Sequence, residues 1–239
     1  MEIKDNFSLF GLFMDKHVKI IIDKQYFQIR VPSIKDFYTN DMVNATYHLW
    51  TASAVEIYKV VPIKVNTSFE FVNVILFQFA IYKEFESYVK MIQEMLTWFI
   101  PNIEIDNYNK KLTVNNITIT EEIWEYIVYV LRLSCGEKVE KPRTFASDEE
   151  RKFYLAQKEM DAKIKKIKSK NTDIDATLKA FLSIQYAFNL SFDYLAEQTM
   201  AQIQWLQTHA AGAVSYEVNA QAFAAGNMKK GKKLDFFIK

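Results

Sequence analysis

Two runs of β-branched and aromatic residues constrain this chain more than any other feature. Val18-Lys19-Ile20-Ile21-Ile22 and Tyr26-Phe27-Gln28-Ile29-Arg30-Val31 flank the polar segment Asp23-Lys24-Gln25. Alternating runs of this composition around a short polar break read as a β-hairpin with one buried face. Pro32 closes the second run, because it has no N–H to donate to a ladder. Ser33 then stands three residues before Asp36, the spacing of a capping box, so a helix starts there. Helical stretches are expected at roughly 34–58 and 68–99, with Val61-Pro62 between them and Pro101 after the second.

The chain then repeats the motif in a shorter form. Ile103-Glu104-Ile105, Lys111-Leu112-Thr113-Val114 and Ile117-Thr118-Ile119 read as short strands, with Asn115-Asn116 as a turn. Thr120 leads into a helix that opens Glu121-Glu122-Ile123-Trp124, its two acids placed where a helix N-terminus favours negative charge. Gly136 is suited to stop that helix in the left-handed conformation. Residues 137–147 read as a linker. Ser147 and Glu150 open a lysine-rich helix from Asp148 to about Lys170, whose apolar positions Phe153, Ala156, Met160, Ile164 and Ile167 step by three or four. An α-hairpin follows. Ile174, Leu178, Phe181 and Leu182 form its first stripe, and Ser191 opens a short connecting turn of helix. Thr199 and Gln202 cap a long helix carrying Ile203, Leu206, Ala210 and Ala213 and running to about Ala225, with Gly226-Asn227 as its C-terminal cap. The expected fold is α+β and mainly α-helical, with small β-hairpin elements in an N-terminal part (1–136) and an α-hairpin in a helical C-terminal part (148–239).

Charge supports that division. Residues 1–150 carry 16 Lys+Arg against 21 Asp+Glu, a net −5, while residues 151–239 carry 14 against 8, a net +6. The start, Met1 to Asn6, lacks the cationic region of a secretory leader, and the apolar window Phe69–Tyr82 is interrupted by Glu70, Asn73 and Gln78, so neither export nor a membrane span is expected. The single cysteine, Cys135, suits a reducing compartment.

The residues give little support to catalysis. His17, His48 and His209 are scattered without metal-ligand spacing, so neither a metal nor any other cofactor is expected. The five glycines form no phosphate-cradling loop and no nucleophile elbow. Cys135 reads as an incidental thiol before it reads as a nucleophile. Two features point to binding instead. Lys163, Lys165, Lys166, Lys168 and Lys170 form a basic patch without interleaved aromatics, which fits solvent or an acidic protein face better than nucleic acid. After the lysines of 229–233, Phe236 and Phe237 make an apolar terminus suited to docking on the body or on a partner. The stripe Phe153, Met160, Ile164 and Ile167, flanked by charge, also needs a partner of its own.

The order of parts resembles tail-region proteins of contractile-tailed phages of Gram-positive bacteria, those described as tail-assembly chaperone-like or baseplate-assembly proteins. The resemblance rests on the hairpin closing on Arg30-Val31-Pro32-Ser33-Ile34-Lys35-Asp36-Phe37 and on the Ile103–Thr120 strands running into Glu121-Glu122-Ile123-Trp124. It extends to the lysine-rich helix and to the α-hairpin Asp173–Ala225. The Phe236-Phe237-Ile238 ending does not map onto the group. The resemblance implies a non-catalytic virion morphogenesis protein in the cytoplasm of the bacterial host. It would be an assembly chaperone binding a helical tail client such as the tape-measure protein, with self-association as a further expectation. A structural baseplate component of the virion tail is one alternative, and a nucleic-acid-binding regulator a second.

Overall fold

The fold is α+β and mainly helical. In the computed structural model, which describes residues 3–4, 17–61, 63–137, 139, 150, 154 and 174–225, strands β1 (Ile3–Lys4), β2 (His17–Ile22) and β3 (Gln25–Arg30) form an antiparallel sheet in that order. The expected hairpin is β2–β3, with Ile20 opposite Phe27 and Ile22 opposite Gln25. Its turn is two residues rather than the three expected. Asp23 (φ 45°) and Lys24 (φ 74°) are both left-handed, the arrangement whose twist matches that of the flanking strands. Val18, Ile20, Ile22, Phe27 and Ile29 face the core, while Lys19 and Gln28 face solvent.

The helical stretches expected at roughly 34–58 and 68–99 are each divided into shorter helices. The first becomes α1 (Ile34–Thr39), α2 (Asp41–Thr51) and α3 (Ala54–Val60). Asn40 ends α1 and caps α2, its side-chain oxygen accepting from the amides of Met42 (3.1 Å) and Val43 (3.3 Å). Ser53 and Glu56 make a second capping box at the start of α3. Polar side chains that satisfy backbone donors locally compete with helix continuation. The second stretch becomes α4 (Ser68–Phe77), a 3₁₀ turn at Lys83–Phe85, and α5 (Glu86–Phe99). The break contains neither glycine nor proline. Phe79 instead packs on Phe85, ring centroids 4.5 Å apart, and tertiary packing of this kind overrides propensity.

The second sheet, β4 (Ile103–Asp106), β5 (Lys111–Val114) and β6 (Ile117–Thr118), is antiparallel in that order, with Asn115 (φ 48°) and Asn116 (φ 64°) as its turn. The Asn115 amide donates to the Tyr26 carbonyl at 3.0 Å, tying the two hairpins together. Thr120 caps α6 (Glu121–Ser134). Gly136 (φ 76°) ends it, with the Glu137 amide donating to the Arg132 carbonyl (3.0 Å) and the Gly136 amide to the Leu133 carbonyl (2.9 Å). That pair of bonds is a Schellman cap.

Both sheets and α2–α6 enclose one apolar cluster. At its centre Trp50 packs on Trp124 (4.6 Å) and Phe99 (4.9 Å). The Trp124 indole donates to the Ser68 hydroxyl at 3.0 Å, whereas the buried Trp50 indole N–H has no acceptor among the described residues.

The C-terminal hairpin consists of α7 (Ile174–Phe188), the short α8 (Phe192–Ala196) and α9 (Met200–Ala224). Asn189 (φ 54°) follows α7, and Ser191 caps α8. Thr199 and Gln202 exchange hydrogen bonds at the start of α9 (2.6 and 3.3 Å), as their spacing predicts. Ala180, Phe181, Ile184, Leu195, Ile203 and Ala210 form a second cluster, joined by Ile34 from α1. Apart from Glu137 and Val139, the expected linker 137–147 lies outside the described residues. So do the lysine-rich helix, except Glu150 and Tyr154, and the Gly226-Asn227 cap with the tail that follows.

Candidate protein-interaction site

The α7 sequence carries apolar residues in two phases of the helical period. Ala180, Phe181 and Ile184 fall on one side and are buried against the rest of the hairpin. Leu178, Leu182 and Tyr186, spaced by four, fall on another and remain 51 %, 51 % and 79 % exposed. Residues four apart on a helix lie one above the other, so these three make a continuous stripe. The single stripe expected from Ile174, Leu178, Phe181 and Leu182 is therefore divided: Phe181 is buried and Leu178 and Leu182 are not. The phase that wins is the one in which Ala180 lets α9 approach and Ile184 fills the seam.

The stripe ends near further exposed aromatics. Tyr194 on α8 is half exposed, and Phe192 packs on Phe181 with ring centroids 5.9 Å apart while keeping part of its surface in solvent. A second apolar patch lies in the N-terminal part, between α4 and α5, where Ile81, Tyr82 and Tyr88 are exposed around the Phe79–Phe85 pair. Scattered exposed tyrosines such as Tyr38 and Tyr108 are ordinary surface residues.

The interaction residues expected from the sequence fall elsewhere. Phe153, Met160, Ile164, Ile167, Phe236 and Phe237, and the lysines 163, 165, 166, 168 and 170, all lie outside the described residues. Sequence reasoning missed Tyr186. Its signal was the spacing of four that continues from Leu178 and Leu182.

A polar cluster lies where α2 meets the end of α6. The Tyr47 hydroxyl donates to Glu137 at 2.5 Å, and the Arg132 guanidinium binds the other oxygen of the same carboxylate at 2.8 Å. Burial, together with neighbouring Cys135 and Glu137, pushes the Tyr47 phenol far above its ordinary range. Burial also pushes the Cys135 thiol up to about 12, against partial relief from hydrogen bonds with Tyr47 and Ser134. A thiol of that pKa is protonated at neutral pH and is a poor nucleophile. Of the histidines, His48 lies edge-on to Tyr47 (5.5 Å) and His209 stacks on Trp205 (4.0 Å). Among the described residues no three His, Cys, Asp or Glu side chains are grouped as a metal site, and no helix is long and apolar enough to cross a membrane.

Comparisons with family models, curated proteins and solved structures give no match. The three side chains of the α7 stripe expose on the order of 300 Å² of apolar surface.

Proposed function

We propose that this chain is a non-catalytic assembly factor of a contractile phage tail, holding a helical client such as the tape-measure protein through its C-terminal hairpin. The observation that carries the reading is the exposed Leu178–Leu182–Tyr186 stripe on a helix whose other apolar face is already committed. A helical client with its own apolar stripe lies along such a face, ridge against groove. The resemblance in order of parts directs the choice of client.

Mass spectrometry of purified particles tests the reading against its structural alternative. An assembly factor is present in infected cells and absent from finished tails. Stoichiometric recovery in finished tails would replace the chaperone reading with that of a baseplate or tail component.

A further inference from the structure

Among the described residues, the C-terminal hairpin meets the N-terminal part at two places, α8 against α1 and α9 against the end of α6. Among the described residues, Ile34 alone brings the side chain of an N-terminal element into the second cluster, where it is buried. Beside it the Ile34 amide donates to the Gln198 carbonyl at 2.9 Å, and the Lys35 ammonium binds Glu197 at 2.8 Å. Gln204 of α9 also lies against Gly136 at the end of α6. The rest of α1 belongs to the body. Phe37 packs on Tyr47, with ring centroids 5.3 Å apart. Asp36 binds Ser33 and Arg30, and the Arg30 guanidinium lies 4.1 Å above the Trp98 ring.

We infer that Ile34 and Lys35 form a clip that holds the hairpin to the body and opens reversibly while both remain folded. The inference is independent of the proposed function and rests on an imbalance. Among the described residues, the clip consists of one buried side chain, one backbone hydrogen bond and an exposed ion pair, and the seam of α9 with the end of α6, where Gln204 meets Gly136, must part with it. The body cluster holds 30 buried residues among those described. Contacts that few open at much lower free energy than the core. When the clip opens, the α1 capping box and the Arg30–Asp36 bond are untouched, so α1 stays with the body.

The geometry supplies its own reporter. Ile34 is the first residue of α1, a position whose amide has no acceptor within its helix. Its hydrogen bond runs to Gln198 on the hairpin, so its exchange with solvent deuterium follows clip opening. In the full chain, followed by NMR, the Ile34 amide is expected to exchange at least tenfold faster than those of Ile127 in α6 and Ile184 in α7. Lys35→Glu should speed Ile34 several-fold and leave the other two unchanged. Adding Glu197→Lys should restore the original rate, which fraying of α1 alone would not do. Ile34→Ala, corrected for intrinsic exchange, should speed that position further. Exchange of Ile34 in step with Ile127 and Ile184 would overturn the inference, and so would a position-34 rate indifferent to both Lys35→Glu and Ile34→Ala.

Discussion

Trp50 and Trp124 touch each other in the same core, yet their truncations should have very different costs. Trp→Phe removes about three heavy atoms from either site, and at ~0.8 kcal/mol per methylene-sized group the lost burial is roughly 2–3 kcal/mol. Trp124 also gives up its bond to Ser68, leaving a largely buried hydroxyl without its donor, at a further ~1–3 kcal/mol. Trp50 has the opposite balance. Its buried indole N–H lacks an acceptor among the described residues, so phenylalanine there relieves a desolvation cost of about 1–3 kcal/mol. Trp124→Phe should therefore destabilise by about 3–6 kcal/mol, whereas Trp50→Phe should fall between a gain of about 1 kcal/mol and a loss of about 2 kcal/mol. Urea unfolding followed by far-UV circular dichroism, with midpoints compared at constant slope, measures the difference. Equal costs, or a larger cost at Trp50, would refute the assignment of hydrogen bonding in this core.

Three further outcomes follow from the end of α6. A thiol moved from about 9.0 to about 12 carries roughly a thousandfold less thiolate at neutral pH, so native Cys135 should react with a disulfide reagent about a thousandfold more slowly than the unfolded chain. Because the folded pKa is the higher one, the unfolded chain loses its proton first, and stability should fall as pH rises above about 9. Gly136→Ala places a Cβ in the left-handed region, at ~1–2 kcal/mol, and against the Gln204 side chain, which must move. Thermal melts should show a total loss of about 1–3 kcal/mol, and no loss would mean that the Schellman cap is not rigid.

What the sequence made legible was local chemistry. Ser33–Asp36, Thr120, Thr199–Gln202 and Gly136 all begin or end helices where their types and spacings predict. Both hairpins announce themselves through β-branched alternation. The missed features come from competition between signals. Asn40 and Ser53 sit inside a run that is helical by periodicity, and only their cap bonds divide it. The break at 78–85 has no punctuating residue, because ring packing creates it. On α7, two apolar phases of similar strength were available, and long-range packing with α9 decided between them. The clip through Ile34 was illegible for the same reason: nothing local to Ser33-Ile34-Lys35 indicates that its partners lie at 197–198.

If the Leu178–Leu182–Tyr186 stripe binds a helical tail client, its loss should be visible in a single co-purification. Tagged chain is co-expressed with the tape-measure protein of the same phage, and wild type is compared with the double variant Leu182→Glu, Tyr186→Glu. Both positions are exposed, so the variant should retain its fold, with a stability change within about 0.5 kcal/mol per site by circular dichroism melts. Soluble tape-measure protein should co-purify with wild type and be lost at least tenfold with the variant. Equal recovery with both chains would mean that the stripe is not where the client is held.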